Sequence, residues 1–323
     1  MLPEYQESSV DILADIMRPS LRPDDFDMEK KVILEEIQMY LDQPPFGMDD
    51  RIKQLHLSGH PLARSVLGTS QSVGDLTPER MREYFASRYS ADNVFVAAAG
   101  KIDFDALVEQ VGARCGDWKP TGATRDIPRG VSEPRFEVVH RPTATQEYVL
   151  ELADAPASED ADRYAAKLLA TIVGDDSGSR MYWELVDSGL AETASLGHYE
   201  YLGLGMFYTW LACEPDVVEE NIARLHAIFR QVEADGVSED ELRQAKNKVK
   251  ARVVLSSERP QSRLFNVGGN WLQRREYRTV ADDLKALDDV QLNDVHAVLK
   301  KYPLSRYTTI TVGPREDVKR PGT

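Results

Sequence analysis

Cysteine, long apolar runs and positive charge are all scarce in this sequence. Its two cysteines, Cys115 and Cys213, fall in different halves, so a structural disulfide framework is not expected. No apolar run approaches the roughly 20 residues of a membrane-spanning helix. Met1 is followed by Pro3 and Glu4 rather than by the basic and apolar regions of a signal peptide. These absences favour a cytoplasmic protein without a membrane partner, unless a targeting segment precedes Met1.

Acidic residues outnumber basic ones by 54 to 39, and the formal net charge is −15. This balance disfavours binding to nucleic acids and to anionic membranes, which attract basic proteins. It suits a cationic peptide, although an acidic surface that serves solubility explains it equally well. The length of 323 residues and the hydrophobic content of 42% are enough for two ordinary domains.

The most informative segment, residues 28–40, has the spacing of an amphipathic helix. Positions three and four residues apart share one face of a helix. That face carries Glu29, Val32, Ile33, Glu36, Ile37 and Tyr40. Two carboxylates therefore lie on an otherwise apolar face, where a carboxylate is costly unless it is paired or binds a metal. From the helix alone, two explanations of the carboxylates stay open: salt bridges at the edge of a core, or a metal site.

An ordered series of motifs extends from this helix along nearly the whole chain. Its clearest members are residues 29–37, 49–52, 60–62, 66–69, 76–84 and 89–94, followed by Gly100. In order and spacing these motifs resemble the pitrilysin/insulinase family of zinc peptidases, which includes the mitochondrial processing peptidases. The resemblance implies an α+β fold of two related α/β-sandwich units. Each unit has an antiparallel-rich sheet with helices on one face, and the first is incomplete at its N-terminus.

The resemblance also implies a zinc site. In that family a His-x-x-Glu-His motif on a helix supplies two zinc-binding histidines and the Glu that activates the zinc-bound water. A Glu on a later helix is the third ligand. By that match Glu36 is the metal ligand, and Glu29, seven residues before it, is a supporting carboxylate that orients a ligand or substrate. Three protein ligands leave zinc an open position for a water, whose pKa the metal lowers.

This chain contains no His-x-x-Glu-His. The match places that motif upstream of Met1, so we expect no catalytic residue in this chain and neither tight zinc binding nor peptide cleavage by it alone. The leading hypothesis is a fragment of a zinc metalloendopeptidase that acts on peptides or small proteins. The alternative is a non-catalytic partner subunit of a heteromeric zinc peptidase. A homodimer or a heterodimer with a related subunit fits both. A structural subunit of a respiratory complex is less favoured, because nothing in the sequence indicates a membrane partner.

His56 and His60 have the i,i+4 spacing of metal ligands on a helix. Gly59 and Pro61 indicate that the helix ends there, so we interpret the pair as structural.

Residues 174–192 resemble the family segment in which a helix leads into a Gly-Leu-Ala turn. Many active members carry a substrate-contacting Arg before that turn and a Tyr after it. Val186 and Glu192 stand near those places here, so the substrate-binding residues are unknown. Arg180 and Tyr182 match a packing position, and we interpret them as helix-surface and helix–sheet contacts.

The two halves of the chain have similar endings. Tyr89 is followed eleven residues later by Gly100, and Tyr302 is followed eleven residues later by Gly313, in each case across an apolar, strand-like run. Between the halves, residues 119–134 are rich in Pro, Gly and Thr, as in a linker. We predict a partial N-terminal peptidase-like unit over residues 1–118, which carries the Glu zinc-ligand helix. A C-terminal peptidase-like unit is predicted over residues 135–323.

Hydrophobic periodicity predicts the elements within these units. The predicted helices cover residues 1–17, 77–88, 160–173, 217–234, 238–255 and 287–301. The predicted strands cover residues 93–99, 136–139, 146–153, 202–213 and 307–312. The sheet of the first unit is expected to have an exposed edge that can pair with another chain.

Overall fold

The computed structural model describes residues 2–42, 47–130 and 132–320. The α-helices of this part are α1 (Gln6–Ile16), α2 (Pro23–Asp42), α3 (Met48–His56), α4 (Ser70–Gly74), α5 (Pro78–Arg88), α6 (Phe104–Cys115), α7 (Arg163–Gly174), α8 (Val218–Asp235), α9 (Glu239–Ser257), α10 (Pro260–Arg274), α11 (Val280–Asp289) and α12 (Leu292–Lys301). Within it, every helix is too short or too polar to cross a membrane.

Five strands form one mostly antiparallel sheet. They are β1 (Phe136–His140), β2 (Glu147–Ala155), β3 (Thr193–Tyr201), β4 (Leu204–Cys213) and β5 (Tyr307–Gly313). Their order across the sheet is β1-β5-β2-β4-β3, in which β1 and β5 are parallel and the other neighbours are antiparallel. Mixed helices and an antiparallel-rich sheet confirm the predicted α+β class.

The sheet has two apolar faces because side chains alternate along each strand. Val149, Phe207 and Leu211 belong to the main core with residues of α7 and α8. Leu150, Leu152 and Met206 lie on the opposite face, where Met48 and Ile52 of α3 pack against them. Fully burying a side chain of this size contributes about 1.5–3 kcal/mol each.

The chain forms two compact units, each discontinuous in sequence. Unit 1 comprises Met1–Gln38, Leu67–Asp126 and Ser256–Trp271, and unit 2 comprises Met39–Val66, Ile127–Leu255 and Leu272–Thr323. This division follows spatial contacts. The bounds predicted at residues 118 and 134 follow the sequence resemblance instead, and they stay a prediction.

Unit 2 has a large core, whereas unit 1 buries little apolar surface. In the part of unit 1 that the structure describes, the buried apolar side chains are Val10, Ile37 and Val73. The strand predicted over residues 93–99 is wrong, since these residues form neither strand nor helix. A strand is defined by a hydrogen-bonded neighbour, and none of the described residues supplies one to this run.

Most predicted elements of unit 2 are confirmed. Ser238 caps α9, because Glu241 N donates to Ser238 Oγ over 3.2 Å and Ser238 N donates to Glu241 Oε2 over 2.8 Å. The single helix predicted over residues 287–301 is instead the end of α11 followed by α12. The break lies at Gln291, the N-cap residue of α12, whose backbone N donates to Asp294 Oδ2 over 2.7 Å.

Candidate functional site

The two predicted carboxylates lie on α2, as the sequence indicates. Pro23 at the first position and Asp24 and Asp25 in the first turn favour the start of this helix. Glu36 is half-buried and Glu29 is exposed, with the buried Ile37 beside Glu36. Seven residues correspond to a rise of about 10 Å on one helix face. Within the described residues, neither carboxylate has a hydrogen-bond or ion-pair partner, so the salt-bridge interpretation of the helix finds no partner there.

Glu29 lies at an apolar cavity of about 390 Å³ within unit 1. Phe26 and Ile33 of α2 line it together with Leu21 and Met81. Lys30, on the same helix, donates to Leu76 O over 3.0 Å and so ties α2 to the end of α4. The cavity places a carboxylate beside an apolar volume large enough for several side chains.

The residues present do not by themselves fit a zinc ion. Zinc sites in proteins use three or four ligands within about 2.3 Å of the metal. Across residues 2–42, 47–130 and 132–320, no three His, Cys, Asp or Glu groups lie close enough together to hold a metal ion. Glu36 can supply one carboxylate oxygen, and a complete site needs further ligands.

His56 and His60 have structural partners in unit 2. α3 ends at His56, as Gly59 and Pro61 predict. The buried His56 contacts Thr308 Oγ1 through Nδ1 at 3.0 Å, and its Nε2 lies 3.3 Å from Asp154 Oδ1. His60 accepts from Leu62 N through Nδ1 and contacts Pro128 O through Nε2. Both rings are therefore engaged in holding loops rather than directed together at a metal.

Asp154 joins His56 to Ser132, whose hydroxyl donates to Asp154 Oδ2 over 2.6 Å. Burial opposes ionisation of Asp154, but the nearby His56 ring and the hydrogen bond from Ser132 outweigh it and lower the pKa of that carboxyl. Ser, His and Asp are the residue types of a nucleophilic triad. Here, however, Asp154 lies between the other two, so His56 does not contact the Ser132 hydroxyl and cannot act as its base.

The segment after α7 is an ion-pair centre. The buried Asp175 pairs with Lys248 and Arg252 of α9. Burial opposes its ionisation, but hydrogen bonds, chiefly from Arg252, hold the pKa of Asp175 well below its usual range. Arg180 forms two hydrogen bonds with Glu241 at 2.8 and 3.0 Å and donates to Gly236 O. These contacts agree with the structural interpretation of Arg180.

The two positions near the family's substrate-contacting pair have local roles. Val186 packs half-buried against the main core. The Glu192 carboxylate accepts from Gln146 Nε2, and its backbone N donates to Ala212 O over 2.9 Å. No substrate-binding role follows from either contact.

A buried polar network in unit 2 was missed by sequence reasoning. Glu151 and His226 are 1% and 2% exposed, and His226 Nε2 contacts Glu151 Oε1 at 2.7 Å. Thr309 Oγ1 donates to the same oxygen, and the Tyr307 hydroxyl contacts His226 Nδ1 at 2.9 Å. Burial raises the pKa of Tyr307. The detectable signal is Glu151 at an inward position of the apolar strand β2.

The fold and the carboxylate helix define an α+β protein, and sequence comparison supplies its family. The model of the peptidase M16 inactive domain matches residues 75–249, a little more than half of the chain. The chain therefore belongs to the peptidase M16 family, and the resemblance to the pitrilysin/insulinase zinc peptidases is confirmed.

Curated relatives extend over nearly the whole chain. An uncharacterized zinc protease of Mycobacterium tuberculosis is 28% identical over 318 residues, which cover 95% of this chain and 71% of that protein. The uncharacterized zinc protease YmxG of Bacillus subtilis is 24% identical, and the match covers 97% of this chain and 77% of that protein. The beta subunit of the mitochondrial-processing peptidase of Dictyostelium discoideum is 24% identical over 275 residues. This match covers 79% of this chain and 57% of that protein.

Solved structures share the fold. A protease from Helicobacter pylori superimposes with a TM-score of 0.85 at 20% identity, over 96% of this chain and 77% of that chain. The peptidase M16 inactive domain from Pseudomonas fluorescens superimposes with a TM-score of 0.88 at 18% identity, over 98% of this chain and 76% of that chain.

Proposed function

We propose that this chain is part of a zinc metalloendopeptidase of the pitrilysin/insulinase type and that it supplies Glu36 as one zinc ligand. The supporting observation is the half-buried Glu36 carboxylate on α2, which has no hydrogen-bond partner among the described residues. Relatives that cover nearly the whole chain are named zinc proteases. The two histidines and the catalytic Glu are not in this sequence, so the chain alone is inactive.

In this proposal Glu36 binds the ion and Glu29 orients a ligand or the substrate from the same helix face. Zinc, once bound, supplies a water of lowered pKa for peptide hydrolysis. The substrates are peptides or small proteins, and the net charge of −15 favours cationic ones. We place the protein in the cytoplasm, as a homodimer or as a heterodimer with a related peptidase subunit.

Zinc content tests the role of Glu36. To offer the missing ligands, we add the part of the Mycobacterium tuberculosis relative that lies outside the match, as a separate polypeptide or fused to this chain. We compare Glu36→Gln with Glu35→Gln, the adjacent exposed carboxylate. Loss of a residue that only hydrogen-bonds to a metal ligand weakens metal binding by about 10- to 100-fold. Glu36 is proposed as a ligand itself, so Glu36→Gln should weaken zinc binding by at least that much. Glu35→Gln should bind zinc as the unsubstituted chain does.

Two outcomes contradict the proposal. Stoichiometric zinc in the purified chain alone would show that its own residues complete a metal site. Equal zinc affinity of the Glu36→Gln and Glu35→Gln proteins would remove Glu36 from the ligand set. Elemental analysis and competition with a chromogenic chelator measure both quantities.

The second candidate is a non-catalytic partner subunit. It is supported by the match to an inactive-domain model and by the relative named as one subunit of the mitochondrial-processing peptidase. Peptidase activity that appears on mixing with a zinc-bearing homologue, and that survives Glu36→Gln, would favour this candidate over the first.

A further inference from the structure

Glu147, the first residue of β2, is a carboxylate that unit 2 encloses completely. It is 0% exposed. Its Oε2 accepts from the backbone N of Arg315 over 3.2 Å, whereas its Oε1 has no hydrogen-bond partner within the described part of the chain. The Arg315 guanidinium binds Asp317 instead, with Nε 2.5 Å from Oδ1. An ionised carboxylate with an unpartnered buried oxygen is costly, so this environment favours the neutral form.

The segment that follows β5, residues 314–320, supplies the hydrogen bond to this carboxylate. The segment forms neither helix nor strand. Lys319 N donates to Glu219 Oε1 in the first turn of α8 over 3.1 Å. Val318 is 5% exposed and belongs to the main core. One of the contacts that hold the segment on unit 2 therefore ends on Glu147.

The Glu147 carboxylate packs directly against the backbone from which the segment departs. A Cβ on Gly313, the last residue of β5, would lie 2.1 Å from Glu147 Oε2. On the other side of β2, Cys213 stands opposite Glu147 and is followed by Glu214. Burial raises the pKa of the Cys213 thiol, so this thiol is neutral and β4 offers Glu147 no positive charge.

The other charges around Glu147 come from the segment itself, from β1 and from α8. Arg315 and Asp317 belong to the segment, and His140 belongs to β1. Glu219 of α8 lies 4.0 Å from Arg315 Nη2. Burial raises the pKa of the Glu147 carboxyl, and the hydrogen bond from Arg315 N with the charges of Arg315 and His140 offsets this only in part.

We propose that residues 314–320 are a pH-dependent latch on unit 2, which is closed over the neutral Glu147 carboxyl and is released when that carboxyl ionises. The negative charge is hydrated better by water than by the buried surroundings, so ionisation favours the open state. Opening removes Val318 from the core and breaks the contact of Lys319 N with α8. The latch lies within unit 2 and involves neither Glu29 nor Glu36, so it is independent of the proposed metal site.

The direction of the pH dependence follows from linkage. The pKa of Glu147 is higher in the closed state than in the open state, in which water reaches the carboxyl. The closed state is therefore most stable at a pH below the open-state pKa, and it weakens as the pH rises through the closed-state pKa. A difference of about one pH unit between the two pKa values changes the opening equilibrium about tenfold.

Amide hydrogen exchange of the whole chain measures the latch. The amides of Arg315 and Lys319 donate hydrogen bonds in the closed state, so they exchange when it opens. Relative to an unstructured peptide at the same pH, their protection should fall by about tenfold from about pH 4 to about pH 8. Constant protection would overturn the proposal. An equal fall in β4 would also overturn it, because the whole unit would then be opening.

A substitution of Glu147 tests which group titrates. Glu147→Gln keeps an oxygen that can accept from Arg315 N but cannot ionise, so the protection should agree within about twofold at the two pH values. Glu316→Gln is the matched control, because Glu316 belongs to the same segment and its side chain is 78% exposed. This control should keep the fall of about tenfold. A fall that survives Glu147→Gln would assign the effect to His140 or another group and overturn the proposal.

A second variant tests the latch without altering Glu147. Val318→Ala removes part of the contact with the core, so the protection of Lys319 N should be about threefold lower or more at both pH values. The ratio between the two pH values should stay as in the unsubstituted chain, since Glu147 is still present. Unchanged exchange in β2 and β4 shows that unit 2 stays folded. Equal protection in the two proteins would show that Val318 does not hold the segment and would overturn the proposal.

Discussion

At the scale of single residues, the buried pair Glu151 and His226 stands out against the acidic surface of the molecule. Both side chains are almost fully enclosed, and Glu151 Oε2 has no hydrogen-bond partner among the described residues. The ring of His226 also stacks on Tyr307, with centroids 4.3 Å apart. Such a pair is costly to break, because one partner alone leaves an uncompensated buried group.

We expect His226→Leu to lower the free energy of unfolding by about 3–5 kcal/mol. The double variant Glu151→Leu/His226→Leu should recover much of this loss, since no buried carboxylate is left unpaired. Tyr307→Phe removes one hydrogen bond and should cost about 1 kcal/mol. Urea unfolding followed by circular dichroism measures all three. A double variant less stable than His226→Leu would contradict this account.

Asp92 should make the stability of unit 1 dependent on acid pH. Hydrogen bonds from Ser90 and from the backbone N of Thr121 and Gly122 lower the pKa of its carboxyl from 3.8 to about 2. The carboxyl therefore has a lower pKa in the folded protein than in the unfolded chain. Its contribution to stability is complete at a pH above the unfolded-state pKa, and it is lost as the pH falls towards the folded-state pKa. The urea concentration at the midpoint of unfolding should therefore decrease as the pH is lowered from about 4 to about 2.

Asp92→Asn is the comparison for this pH dependence. An amide does not ionise in this range, so the variant should show a smaller decrease in its urea midpoint between about pH 4 and pH 2. Identical decreases in the two proteins would show that other carboxyl groups cause the effect.

At the scale of elements, glycines decide how closely the strands of unit 2 approach their neighbours. A Cβ on Gly205, at the start of β4, would meet Pro156 O at 1.9 Å. A Cβ on Gly174, at the end of α7, would meet Leu196 N of β3 at 2.3 Å. Both neighbours are backbone atoms, which cannot move aside as a flexible side chain can.

Gly205→Ala should therefore lower the free energy of unfolding by about 1–3 kcal/mol or more. Gly112→Ala in α6 is the matched substitution, because an added Cβ has nothing within 4 Å apart from the neighbouring backbone of its own helix. It should stabilise α6 by up to about 1 kcal/mol, since alanine favours a helix over glycine. Thermal unfolding of the two variants measures the difference. A Gly205→Ala protein as stable as the unsubstituted chain would contradict the close packing.

At the scale of the whole molecule, burial is unevenly distributed. Unit 2 contains the sheet and nearly all of the buried apolar side chains, whereas the described part of unit 1 buries Val10, Ile37 and Val73. Exposed apolar residues are correspondingly frequent in unit 1, including Ile12, Ile16 and Phe104. A unit with little buried surface opens at low cost in free energy.

We expect the two units to differ in amide exchange. Amides of β2, which has a strand on each side, should exchange slowest. Those of α1 and α6 should exchange about 100-fold faster or more, because opening unit 1 exposes little buried surface. Mass spectrometry of deuterated peptides resolves the two sets. Equal protection of α6 and β2 would contradict the uneven burial.

Much of the fold could be predicted from the sequence because its elements obey local rules. The helices predicted over residues 217–234 and 238–255 and the strand predicted over residues 146–153 depend on neighbouring residues, and each is confirmed, as α8, α9 and β2. The break at Gln291 was missed because a Gln cap is a weak signal beside the more common Ser, Thr, Asn and Asp. The role of Glu36 stays a prediction, since a metal site depends on ligands from distant parts of a chain.

The sequence by itself determined the family, the α+β class and the face of α2 that carries Glu29 and Glu36. Only the tertiary structure decided that Glu151 meets His226 and that Asp154 joins His56 to Ser132, because these contacts join residues far apart in the chain. Contacts with distant parts of the chain also explain why β5 is a strand and residues 94–99 are not. The two runs have equivalent sequences, but a strand forms only where other segments pair with its edges, and among the described residues only β5 has them.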